Sequence, residues 1–181
     1  PENTAVAFKK AAELGARWVE FDVRLTRDSQ PIVFHDETLE RTTNGRGRIS
    51  DLDWDDIQEF DAGQWYGSDY LDERILTLQE AIAVLQSLGL GANVEIKSTP
   101  GREVESGHAI AAELKKHWPS QLPSPLISSF QRDCILAVKQ EMPDVERALI
   151  VGAVPGDWEE DLKQLACGGL HCRHVQISEA L

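Results

Sequence analysis

Two short runs carry acids at alternate positions. In Trp18-Val19-Glu20-Phe21-Asp22-Val23, an extended chain turns Val19, Phe21, Val23 and Leu25 to one face and Glu20, Asp22 and Arg24 to the other. Two positions along a strand put the Glu20 and Asp22 carboxylates roughly 7 Å apart. A hard divalent cation fits between carboxylates so spaced, although a solvated face of an edge strand would look the same. In Asn93-Val94-Glu95-Ile96-Lys97 the pattern repeats, with Asn93, Glu95 and Lys97 on one face. Strands of a helix-covered parallel sheet are nearly all apolar. Acids at alternate positions in two of them therefore fit a barrel whose C-terminal mouth holds polar groups. Glu20, Asp22 and Glu95 would make a three-carboxylate cluster, costly without a cation because like charges repel where water is scarce. Lys97 would bind a phosphate oxygen or neutralise one of the acids.

His35-Asp36 closes the run Pro31-Ile32-Val33-Phe34. A histidine at a strand end can act as general acid or base near neutral pH; it can equally be structural. Ser128-Ser129-Phe130 ends another run, where Phe130 either packs against the alcohol part of a substrate or belongs to the core. His171 and His174, beside a late strand, could reach the same mouth. His108 and His117 lie in a helical pattern and read as surface residues. Cys134, Cys167 and Cys172 are an odd set without paired spacing, unlike a disulfide framework. Cys167 and Cys172 fit no usual zinc spacing. Reduced thiols point to a cytoplasmic compartment.

The elements that must position these groups alternate. Strands are expected at Trp18–Thr26, Ile32–His35, Ala92–Ser98, Leu126–Phe130, Ala148–Ala153 and Gly169–His174, and helices near 4–14, 78–88, 104–117, 132–141 and 158–166. Thr77 and Glu80 form a capping box with Gly89 as the stop, and Leu78, Ala81, Ile82 and Leu85 keep helical spacing. Asn3 or Thr4 caps the first helix, which Gly15 closes, and Asp157 can cap the helix that ends before Gly168. Such alternation argues for a parallel α/β sheet, open or closed. Between Thr26 and Ile32 there is no room for a crossover helix, so the chain returns there as a hairpin or in extended form. Residues 36–76 have weak periodicity and read as an insertion, its body at 40–76, with local helix around 53–60. The whole of 1–181 is otherwise one domain. About six strands are visible, and a complete barrel usually needs roughly 200 residues or more, so the sheet is open or the barrel incomplete.

Composition narrows the partners. A formal net charge of −13 disfavours nucleic acid and anionic membrane surfaces, and makes an anionic substrate dependent on a local cation. No apolar run approaches the roughly 20 residues that span a bilayer, so no stable membrane insertion is expected. No secretory signal is visible.

Taken in order, Pro1-Glu2-Asn3-Thr4, Glu20-Phe21-Asp22, His35-Asp36, Leu39-Glu40-Arg41-Thr42-Thr43-Asn44-Gly45, Asp61-Ala62-Gly63, Glu95-Ile96-Lys97 and Ser129-Phe130 resemble the motifs of the glycerophosphodiester phosphodiesterase family. Asp61-Ala62-Gly63-Gln64-Trp65-Tyr66 looks most like its bacterial cytosolic members. The resemblance implies a triosephosphate-isomerase-type (β/α)8 barrel, incomplete here at its first and last strands, with a small insertion after the third strand. It implies one divalent cation, Mg²⁺ or Ca²⁺, held by Glu20, Asp22 and Glu95. His35 becomes one of two catalytic histidines, Lys97 a phosphate or metal-site partner, and Glu2 a contributor near the metal. From the residues themselves, Lys97 joins His35 as a catalytic candidate, Lys97 and Phe130 are the substrate-binding candidates, and His171 is a further candidate beside the metal. The family's other histidine lies in a His-Arg pair just before the Pro-Glu-Asn-Thr motif, where this sequence starts. The implied reaction is hydrolysis of a small glycerophosphodiester to glycerol 3-phosphate and an alcohol. A phospholipase D-like or lysophospholipid-cleaving relative, or a metal- or phosphate-binding domain without turnover, are the rival readings.

Overall fold

A computed structural model describes residues 1–177. In chain order the elements are α1 (Ala5–Glu13), β1 (Trp18–Leu25), β2 (Pro31–Val33), α2 (Trp54–Ile57), α3 (Leu78–Leu88), β3 (Gly91–Ile96), α4 (Glu103–His117), β4 (Leu126–Ser129), α5 (Arg132–Glu141), β5 (Glu146–Ile150), α6 (Trp158–Leu165) and β6 (Gly169–His171). The strands form one sheet in the order β2-β1-β3-β4-β5-β6. β1, β3, β4, β5 and β6 are parallel neighbours, whereas β2 folds back antiparallel on the end of β1, with Val23 opposite Val33. The short Thr26–Ile32 connection thus resolves as a hairpin.

The helices cover the apolar face of this sheet. Phe21, Val23 and Leu25 of β1, Val94 and Ile96 of β3, and Ile127 of β4 are buried under Leu78, Ala81, Ile82 and Leu85 of α3 and Ile110, Ala111 and Leu114 of α4. Phe8 of α1 meets Phe21 at 5.5 Å between ring centroids. α3 starts with the expected box: Thr77 Oγ1 accepts the Glu80 N–H, and Glu80 accepts the Thr77 N–H. It stops at Gly89 in a left-handed conformation. Thr4 caps α1, its hydroxyl accepting the Ala7 N–H.

The opposite face is mixed, with Glu20, Asp22, Asn93, Glu95 and Ser128 as its polar positions. Trp18 of β1, Leu126 of β4, Ala148 of β5, and Gly169 and His171 of β6 line one depression of about 290 Å³, which requires the sheet to curl. The result is an open six-stranded segment of a barrel-like α/β fold. No helix is long and apolar enough to cross a membrane among the described residues.

Residues 34–77 connect the hairpin to α3 and build a second core from Ile32, Phe34, Leu39, Ile49, Ile57, Ala62 and Ile75. Its only α-helix is the single turn of α2, shorter than the 53–60 expected, flanked by 3₁₀ turns at Ile49–Asp51 and Ser68–Tyr70. Buried Asp61 organises the segment, accepting the N–H groups of Gly63, Gln64 and Asp72.

Three expectations at the C-terminal end need correction: the Asp157 cap, the bounds of β5 and the end of β6. Asp157 occupies the N-cap position of α6, but at φ −106, ψ 19 rather than an extended conformation, so its carboxylate makes no cap hydrogen bond. α6 closes on left-handed Ala166, ahead of Gly168. β5 runs over Glu146–Ile150 instead of 148–153. The buried guanidinium of Arg147 donates to the carbonyls of Met142, Pro143, Val145 and Ala166, which lets a charged residue sit inside the strand. β6 ends at His171, and His174 begins a 3₁₀ turn.

Candidate active site

The parallel register of β1 and β3 places Glu20 beside Asn93 and Asp22 beside Glu95. Side chains of paired residues share a face, so the two acid-bearing runs converge. One carboxylate oxygen from each of Glu20, Asp22 and Glu95 lies within 4.8 Å of the other two. Lys97, one position beyond β3, contacts Glu95 Oε1 and lies 3.4 Å from Asp22 Oδ1. Among the described residues Lys97 pairs with these two and not with Glu20. The energetic consequence falls on Glu20. Burial first, and then the charges of Asp22 and Glu95, raise its carboxyl to about 7, against a smaller opposing pull from Lys97.

This donor set fits a hard divalent cation. It offers carboxylate oxygens alone, without the thiolate or imidazole that favours zinc, and its acids carry repulsion that a cation would relieve. The polar lining continues on β3 and β4, where Asn93 Oδ1 and Ser128 Oγ are buried without a protein hydrogen-bond partner.

His35 lies just past β2 at the same end of the sheet. Arg24 Nε donates to the His35 carbonyl (2.7 Å), and the Phe34 N–H to the Asp22 carbonyl, so the histidine backbone is tied to β1. Its ring joins Glu2, Asn3, Glu20, Asp22 and Arg41 around an open cleft of about 650 Å³, whose other wall is Ala7, Phe8, Ala11 and Val19. His35 Nδ1 is 2.6 Å from Asp36 Oδ1. The N–H groups of Arg41, then that of His35, hold the Asp36 carboxyl down at about 2 despite partial burial. Arg41 likewise lowers Glu2.

Phe130 is 47% exposed just past β4, with the Lys97 ammonium 5.6 Å from its ring centroid. It is therefore no core residue, and the contact is of cation–π type. Glu2 lines the cleft with both oxygens engaged by Arg41. His171 faces the separate depression beside Trp18. His108 and His117 sit on α4, each against a nearby glutamate. Cys134 is buried, and none of the three cysteines is paired.

Sequence reasoning gives no site role to Asp36 or Arg41, and Asn3 only that of a candidate cap of α1, a place taken by Thr4. Asn3 hydrogen-bonds Asp22 from both ends of its amide. All three stand inside quoted motifs, but nothing local announces a partner 19 or 39 positions away.

The family model for the glycerophosphoryl diester phosphodiesterase family matches residues 1–181. A glycerophosphodiester phosphodiesterase of Caldanaerobacter subterraneus is 38% identical over 154 residues, covering 83% of this chain and 61% of the relative. Human glycerophosphodiester phosphodiesterase 1 is 34% identical, over 82% of this chain and 44% of its own length. The chain thus spans less than two thirds of these relatives. Among solved structures, an Oleispira antarctica phosphodiesterase in complex with the product sn-glycerol-3-phosphate superposes with a TM-score of 0.94 at 40% identity, over 98% of this chain and 72% of that one.

Proposed function

The chain belongs to the glycerophosphodiester phosphodiesterase family, and we propose that the protein carrying it hydrolyses glycerophosphodiesters to glycerol 3-phosphate and an alcohol with one divalent cation, Mg²⁺ or Ca²⁺. The observation that carries this reading is the convergence of Glu20, Asp22 and Glu95, with His35 on the same cleft. The product seen in the Oleispira antarctica relative supports it.

Glu20, Asp22 and Glu95 would hold the cation, which when bound supplies charge neutralisation at the nonbridging phosphate oxygens and orients the nucleophile, water or the neighbouring glycerol hydroxyl. His35 moves a proton at its ring nitrogen, on the side of the leaving alkoxide. Lys97 stabilises charge growing on the phosphoryl group, and Phe130 packs beside the departing alcohol. A cytoplasmic site of action fits the three unpaired thiols.

The test uses the complete protein, glycerophosphocholine and an enzyme-coupled readout of glycerol 3-phosphate. Turnover should vanish on chelation and return with added Mg²⁺ or Ca²⁺. His35→Ala should lower kcat by about 10²–10⁴-fold while calorimetric cation binding persists. Near-normal turnover in that variant removes His35 from the mechanism.

One observation favours a second reading. Trp65, Tyr66 and Leu71 are exposed, with Trp65–Tyr66 and Tyr66–Tyr70 in edge-on contact at 5.5 and 5.4 Å. Such an exposed aromatic cluster could meet an acyl chain. Faster cleavage of lysophosphatidylcholine than of glycerophosphocholine would make lysophospholipids the substrate class.

A further inference from the structure

A general acid–base histidine needs a defined tautomer and orientation, and both are set by what its second ring nitrogen meets. Here that is Asp36 Oδ1 at 2.6 Å from Nδ1. A carboxylate beside solvent does not hold such a contact unaided, and Asp36 is itself held. Arg41 Nε donates to Asp36 Oδ2 at 2.7 Å and Arg41 Nη2 to Asp36 Oδ1 at 2.8 Å. From its other edge the same guanidinium donates to Glu2, Nη1 to Oε2 at 2.9 Å and Nη2 to Oε1 at 2.5 Å. A rigid planar fork satisfied on two edges keeps its place better than either pair alone.

We propose that Arg41, braced by Glu2, is a positioning residue for His35: it fixes the Asp36 carboxylate, which orients the imidazole and keeps its proton on Nδ1, leaving Nε2 to exchange a proton with the reacting ester. The inference rests on the hydrolase reading above and assigns a task that reading does not contain. An ionised carboxylate only accepts, so with Arg41 paired to both Asp36 oxygens the His35–Asp36 proton belongs to the ring. With two carboxylates already on its fork, Arg41 is committed and is no phosphate ligand. Glu2, 39 positions away in sequence, ties the start of the chain to the segment just after β2.

The test is made on the complete, cation-free protein with ¹⁵N-labelled histidine, comparing wild type with Arg41→Met and, in case that variant folds poorly, Glu2→Gln and Asp36→Asn. The ring ¹⁵N shifts of neutral His35 should report a proton on Nδ1 in wild type and a growing Nε2–H population in the variants. For glycerophosphocholine, kcat in Arg41→Met should fall about 10- to 100-fold with KM changed by no more than about threefold. An unchanged tautomer with unchanged kcat, whatever happens to the melting temperature, would reduce Arg41 to a structural staple and overturn the proposal. A raised KM at constant kcat would also overturn it, by making Arg41 a substrate ligand. A wild type without diesterase activity defeats the hydrolase reading, and the ring shifts still decide the positioning role.

Discussion

Asn3 and Asp22 are joined twice: Asn3 Nδ2 donates to Asp22 Oδ2 at 3.0 Å, and Asn3 Oδ1 accepts the Asp22 N–H at 3.2 Å. The pair fixes which carboxylate oxygen turns toward Glu20, Glu95 and Lys97. Asn3 does this from a left-handed backbone, φ 58, which asparagine tolerates better than most residues. Asn3→Gly keeps that backbone and removes only the amide. The expected outcome, read by calorimetric titration, is a loss of about 10- to 100-fold in Mg²⁺ or Ca²⁺ affinity, with turnover recovering at saturating cation. Unaltered affinity would show that Asp22 holds its orientation without Asn3.

If Glu20 is a cation ligand, cation binding should depend on pH. Its carboxyl is raised from 4.5 to about 7 in the cation-free fold. The folded state therefore binds the proton more tightly than the unfolded chain, and this group's contribution to stability is complete below about 4.5 and lost as pH rises through about 7. A cation that replaces the proton restores that loss. The melting-temperature gain on adding Mg²⁺ should be larger at pH 8 than at pH 5.5, and binding near pH 6 should release about one proton. Scanning calorimetry at the two pH values checks the sign; equal gains would separate Glu20 from the cation.

Substitution of Lys97 should separate cation binding from turnover. Its ammonium sits against Glu95 and 3.4 Å from Asp22, where it competes with any cation for the same oxygens. Lys97→Met leaves the cluster one charge more negative, so Mg²⁺ affinity should tighten. If Lys97 also stabilises the phosphoryl charge, kcat should fall by about 10²–10³-fold in the same variant. Affinity and turnover moving in opposite directions is the signature; both weakening together would assign Lys97 to holding the cluster together.

The acids were legible because strand alternation and the break from an all-apolar parallel strand are local signals, present within Glu20-Phe21-Asp22 and Asn93-Val94-Glu95-Ile96-Lys97. The α3 cap, Gly89 and the Leu78-Ala81-Ile82-Leu85 stripe are local for the same reason. The hidden features depend on distant pairing. Arg41 acquires its meaning only when Glu2 and Asp36 reach it, and Asn3 only when β1 lies beside it. Phe130 reads from sequence as core or as contact because exposure at a strand end is set by spatial neighbours from other elements. The early start of β5 depends partly on a distant group: the carbonyls of Met142, Pro143 and Val145 are local to Arg147, but the fourth acceptor, Ala166, comes from the end of α6, which no window around Arg147 contains.

Gly107 gives a stability test whose sign runs against helix propensity. It lies inside α4, where alanine would ordinarily stabilise a helix by about 1 kcal/mol. A Cβ built there would stand 2.5 Å from the Cys134 carbonyl oxygen and 2.6 Å from Ala137 Cβ, both on α5. Neither is the movable end of a long side chain, so α4 and α5 would have to separate over buried Ile110, Ala111, Cys134 and Val138. Gly107→Ala should therefore destabilise the protein by about 1–3 kcal/mol. In Gly89→Ala the new Cβ meets nothing within 4 Å, and only the left-handed backbone costs, about 1–2 kcal/mol. Urea unfolding of the two variants should show an unchanged slope for both. A Gly107→Ala protein as stable as wild type would mean that the α4–α5 contact is looser than the one described.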